Sequence, residues 1–111
     1  TTVISVQGAR VTGPDRGKMI DLGRDVVEER LAACVNLIDG VRSVYRWDGR
    51  VQEDDEAMAV IKTTRGRLDE LEDRVRELHP YDEPEFVALP VQEGSRSYLA
   101  WVADSVQPTT S

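Results

Sequence analysis

Scarcity narrows what this 111-residue chain can be. A single cysteine, Cys34, rules out an internal disulfide, so the fold must stand on packing alone and suits a reducing compartment, with the cytoplasm as the expectation. The longest mostly apolar run, LAACVNLI from Leu31 to Ile38, falls well short of the roughly 20 residues that a membrane-spanning helix needs. The opening TTVISVQGAR lacks the charged start and apolar run of a secretory signal. Positive charge is also in short supply. With 14 basic against 21 acidic residues the net charge is -7, which repels phosphate backbones and anionic lipid, and no basic stripe offsets it. Neither nucleic acid nor membrane is expected as a partner.

Catalytic parts are missing too. There is no G-x-S-x-G elbow, P-loop, G-x-G-x-x-G or H-E-x-x-H spacing, so acyl transfer, nucleotide hydrolysis and zinc-protease chemistry lack their usual components. Cys34 sits among Ala32, Ala33, Val35 and Leu37, an apolar setting that raises a thiol pKa and suits core packing better than nucleophilic attack. The protein is expected not to be an enzyme.

What is present reads as one domain over 1–106 with a loose tail at 107–111. VISVQGARV (3–11) is a first strand, weakened by Gly8. At TGPD, Thr12 or Gly13 is the expected N-cap, with Pro14 at the first helical position and Asp15 facing the dipole. Met19, Ile20, Leu22, Val26, Val27 and Leu31 carry helical spacing as far as Leu31. CVNLI, Asp39-Gly40 and VRSVYRW form one long strand bent at Gly40. Asp48-Gly49 predicts a type I′ turn, which folds residues 50–64 back as the partner strand. Glu53 to Glu56 read as a solvated run near the hairpin end.

Leu68, Leu71, Val75 and Leu78 mark a second helix that must stop before Pro80. PEFVALPV (84–91) is a short strand, and a last helix begins at the N-cap candidate Ser95, burying Tyr98, Leu99, Val102 and Val106. Strand, helix, strand, strand, helix, strand and a terminal helix make an α+β, ferredoxin-like (split βαβ) sandwich with a long β-hairpin. Two helices cover one sheet face. The other face, with Val41, Val44, Tyr45, Trp47, Val60 and Ile61 in the hairpin, asks for a partner, and closed self-association is the economical answer.

One stretch concentrates polar side chains: ELHPYDEPE, residues 77–85. Two readings of His79 stand together. It ends a helix, where an imidazolium suits the dipole and Pro80 biases its backbone away from helix, or it is a metal ligand. One histidine per chain is too few for an ordinary zinc site, so a metal would need Glu85 or hairpin residues of a neighbouring copy. Trp47 and Trp101 are packing or stacking residues. Lys62 is an exposed edge charge or the anchor of a small anion.

VEERLAACVN (27–36), VRSVYRWDGRVQED (41–54), IKTTRGRL (61–68), ELHPYDEPE and ALPV together resemble the CutA family of divalent-cation tolerance proteins, over about residues 12–106. The resemblance implies a tight homotrimer built through sheets and hairpins, similar to PII-type signalling trimers with ligand clefts between subunits. It implies response to metal ions, with binding of a divalent metal of the copper type and no established reaction. It assigns Trp47, Lys62, Tyr81 and Glu85 to ligand binding and His79 to metal. Some members carry a cysteine and a second histidine where this chain has Val11 and Leu78, which implies that any Cu or Zn is held more weakly and less selectively; no cofactor is expected to be required. The competing reading is a scaffold trimer that binds protein partners with no metal role, and a minor one is a hydrolase using Cys34 and His79.

Overall fold

The computed structural model describes residues 5–108. Strand β1 (Val6–Gly13) leads to helix α1 (Arg16–Glu28). Strands β2 (Cys34–Trp47) and β3 (Arg50–Thr64) form the hairpin, and a 3-10 turn (Arg65–Arg67) runs directly into α2 (Leu68–Leu78). Strand β4 (Val87–Pro90) and helix α3 (Arg96–Ser105) complete the chain. The sheet is antiparallel in the order β2-β3-β1-β4, the ferredoxin-like arrangement expected.

Strand parity sorts the core. Ala9 and Val11 of β1 and Ala57, Ala59 and Ile61 of β3 lie on one face, against Met19, Leu22 and Val26 of α1 and Leu71 and Val75 of α2. Three strand alanines let the helices come close. Gly13 extends this logic, since a Cβ there would stand 2.2 Å from Met19 Sδ. Val6, three residues before Ala9, faces the other way and joins Ala33, Val102 and Val106 in a second cluster. Helix α3 therefore covers one end of the face expected to be bare. The rest of that face is open: Ile38, Val87 and Leu89 are exposed, as are Tyr98 and Trp101 on α3.

Several expectations hold. Asp48 and Gly49 both have positive φ, as a type I′ turn requires, and β2 changes register between Ile38 and Val41, where Gly40 has φ +72°. Ser95 caps α3, accepting from Tyr98 N–H at 3.3 Å.

Others are corrected. The α1 cap is Asp15, whose Oδ1 accepts from Lys18 N–H at 2.8 Å; β1 runs through Thr12 and Gly13, so neither is free to cap, and Pro14 precedes the cap. α1 ends at Glu28, short of Leu31. Arg30 turns left-handed at φ 61°, Arg30 N–H reaches Val27 O at 3.1 Å and Leu31 N–H reaches Val26 O at 2.9 Å, which closes a Schellman motif and drops Leu31 into the core. Strand β4 has only four residues. Tyr98, expected inside, is exposed, while Val102 and Val106 are buried. Of the first-strand expectation, residues 3 and 4 lie outside the described residues, as do residues 109–111 of the tail.

Two stability measurements follow. Leu71→Ala opens the space between α2 and the sheet and should cost about 2–5 kcal/mol in urea unfolding. Arg30→Gly removes the left-handed penalty of a side chain and should raise stability by about 1 kcal/mol in the same assay; no gain would mean that Arg30 is not strained.

Candidate functional site

The pairing of β1 with β3 begins at Gly13 opposite Ala57. Beyond that point the hairpin continues as a two-stranded ribbon, from Val41 opposite Glu56 to Trp47 opposite Arg50. At its root the loop after α2 comes alongside, and between them lies a groove of about 610 Å³. Its walls are Thr12, the ribbon residues Ser43, Val44, Tyr45, Trp47 and Glu56, and the loop from Tyr81 to Glu85.

His79 organises this junction. It is the C-cap of α2, its N–H bonding to Val75 O at 2.8 Å, with the extended backbone that a residue before proline prefers. The ring is buried and both nitrogens are engaged. Nε2 lies 2.7 Å from the Thr12 carbonyl, which can only accept, so Nε2 carries the proton; Nδ1 accepts from Tyr81 N–H at 3.0 Å. The imidazolium expected from the helix dipole is thus replaced by a ring that needs its Nδ1 lone pair. Within one chain neither nitrogen is open to a metal. Among the described residues, moreover, no three His, Cys, Asp or Glu side chains gather closely enough to hold an ion.

Tyr81 is fixed in turn. Its ring centroid stands 4.8 Å from that of His79, and its hydroxyl donates to Glu56 Oε2 at 3.0 Å. Burial, then the bond to Glu56 and the charge beside it, pushes the phenol up to about 12. On the opposite wall Tyr45 donates to Asp54, and that bond raises its pKa as well. Glu56 is the residue that sequence reasoning missed. It was one of four acids in a solvated run; in the structure it alone of the four is buried, 8% exposed, because it lies at the root of the ribbon, under Tyr81. Its parity with Met58 and Val60 was the available signal.

Trp47, Tyr81 and Glu85 meet on the groove walls. Lys62 is elsewhere: it lies opposite Gly8 and Cys34, and its ammonium bonds to Asn36 Oδ1. Trp101 is on α3 beside Tyr98, centroids 5.5 Å apart. Cys34 and His79 are not brought together. Cys34 pairs with Lys62, whereas Thr12, the partner of His79, pairs with Met58, four residues or about 13 Å along β3.

The groove's charge is one-sided. Glu56, Asp82, Glu83 and Glu85 line it and no Lys, Arg or His does, although Arg76 touches Glu83 at 3.4 Å from outside. Such a surface favours a cation.

Comparison with known proteins identifies the family. Residues 9–105 match the family model "CutA1 divalent ion tolerance protein". The chain is 46% identical over 95 residues to the divalent-cation tolerance protein CutA of Thermus thermophilus, covering 86% of this chain and 92% of that one. It is 47% identical over 98 residues to the human protein CutA, covering 88% and 55% of the two. The Thermus thermophilus structure superposes with a TM-score of 0.90 at 43% identity, over 92% of this chain and 99% of that one. That of CutA1 from rice superposes with a TM-score of 0.92 at 38% identity, over 98% and 100%. The chain thus spans nearly all of the bacterial protein but about half of the human one. Among the described residues no helix is long and apolar enough to cross a membrane. A rice relative's name places it in the chloroplast, so similarity alone assigns no compartment.

Two outcomes test the junction. Tyr81 keeps its proton to higher pH folded than unfolded, so the stability it adds is whole below about pH 10 and is lost as the pH rises through about 12. In an ultraviolet titration, Tyr81→Phe should abolish the last phenol to ionise; persistence of that phase would assign it to another tyrosine. His79→Ala should lower stability by about 1–3 kcal/mol in urea unfolding, because the buried Thr12 carbonyl loses its partner.

Proposed function

Because the chain belongs to the CutA1 divalent ion tolerance family, we propose that it is a non-catalytic, cytoplasmic homotrimer whose clefts bind a divalent cation of the copper or zinc type. One observation carries the cation reading: four carboxylates and no basic side chain line the groove at the hairpin root. The trimer is supported by the ribbon and by the open sheet face. Two strands alone are marginally stable in water, and the ribbon exposes Val44, Trp47 and Val51, so a copy of the chain packed against it supplies the missing cover.

In this reading Glu56 or Glu85 of one chain supplies an oxygen donor and a neighbouring copy completes the set, since among the described residues no three such side chains of one chain gather closely enough to hold an ion, and Trp47 and Tyr81 form the wall that excludes water. His79 enters as a metal ligand only by giving up a bond to Thr12 or Tyr81; otherwise it serves the site by setting Tyr81. Lys62 comes to the cleft from a neighbouring copy, where it anchors a small anion or balances the carboxylates. Oxygen-rich donors without a thiolate or free imidazole favour weak, poorly selective binding. The lone thiol of Cys34 suits a reducing compartment.

Calorimetry with Cu(II) and with Zn(II) tests this. Wild type should bind with micromolar or weaker affinity. Glu56→Gln with Glu85→Gln should weaken binding at least fivefold, while His79→Ala should lose stability with a smaller change in affinity. Unchanged affinity in the double variant would remove the groove from the proposal, and no heat with either metal would favour the scaffold trimer.

A further inference from the structure

A second groove, of about 780 Å³, opens at the other end of the sheet, where β3 gives way to the 3-10 turn and α2. One wall is Thr64, Arg65, Gly66 and Arg67, the head of a continuous helical segment that runs to Leu78; the other is apolar, formed by Ala103, Val106 and Pro108 at the end of α3.

Three features of this head converge on an anion. The first is Thr64, which is 9% exposed, so nine-tenths of it is buried. Its side chain makes no capping bond to the turn that it precedes, and no other bond to it is present among the described residues. Thr64 lines the groove, and no buried side-chain oxygen among these residues is both sealed off and unpaired, so its hydroxyl keeps contact with solvent. The second is the backbone. Arg65 N–H is taken by Ser5 O at 2.8 Å and Leu68 N–H by Arg65 O, whereas among the described residues Gly66 N–H has no such acceptor outside the segment, and it stands at the positive end of its dipole. The third is Arg65, exposed and in no ion pair among the described residues. Arg67 is already committed, bonding to Arg30 O at 3.3 Å and to Glu70 at 3.1 Å, and this pairing answers the charge of Glu70 on the groove rim. Asp69 is exposed in the first turn.

We propose that this groove is a binding site for a phosphate monoester, with the Thr64 hydroxyl, Gly66 N–H and the Arg65 guanidinium as its polar contacts. A hydroxyl, a helix-head amide and a planar cation are the donors that tetrahedral oxyanions take. The space exceeds what free phosphate fills, and the wall of Ala103, Val106 and Pro108 receives the organic part of the ester. This site shares no lining residue with the acidic groove, so either is tested without the other.

The test is amide-resolved NMR on the intact chain at constant ionic strength, titrating inorganic phosphate, phenyl phosphate and chloride. Saturable shifts centred on Gly66, with the ester binding more tightly than phosphate and chloride inert, are expected. Arg65→Gln changes an exposed side chain and should weaken the ester at least tenfold; Thr64→Val should do likewise, and Thr64→Ser should restore binding. Equal binding of ester and inorganic phosphate would make this an inorganic-anion site and overturn the monoester. Shifts that chloride reproduces, or an affinity that Arg65→Gln leaves unchanged, would overturn the site altogether.

Discussion

The structure depends on a mismatch of strand lengths. β3 has fifteen residues, and β1 offers it eight partners, so almost half of β3 is paired only with β2. Hydrogen bonds within a two-stranded ribbon hold its shape but do not bury its apolar side chains. The acidic groove sits where that shortage begins. The loop after α2 packs against the ribbon root, the buried carboxylate lies there, and Val44, Trp47 and Val51 project beyond it without cover.

Seen from that point, the histidine, tyrosine and glutamate form one chain of bonds across three elements. The Thr12 carbonyl in β1 orients His79, His79 holds the Tyr81 amide, and the Tyr81 hydroxyl answers the Glu56 carboxylate in β3. Each link satisfies a group whose burial would otherwise be costly. The same links fix the acidic wall of the groove relative to its aromatic wall. His79 therefore has a reason to be present that requires no metal, and the cation reading rests on carboxylates.

Legibility in the sequence varied with how local the determinants were. The hairpin was readable because Asp48-Gly49 encodes its turn in two residues, and α2 because Leu71 and Val75 recur among charges and Pro80 forbids continuation. The α1 boundaries were missed by a few residues at each end for specific reasons. Asp15 outcompetes Thr12 as a cap because Thr12 is held in the sheet, and Arg30 takes a left-handed position that glycine usually marks. Of the residues expected at a site, Trp47, Tyr81 and Glu85 line one groove, whereas Lys62 lies on another part of the sheet.

By itself the sequence determined the order of elements, the turn, the helix stop and the family, because each is written in neighbouring residues or in several motifs kept in order. Only the tertiary structure decided which acid is buried, which nitrogens of His79 are occupied and where α3 lies. Those outcomes depend on contacts between residues tens of positions apart, such as Thr12 with His79 and Glu56 with Tyr81, and no local pattern fixes which distant partner will arrive.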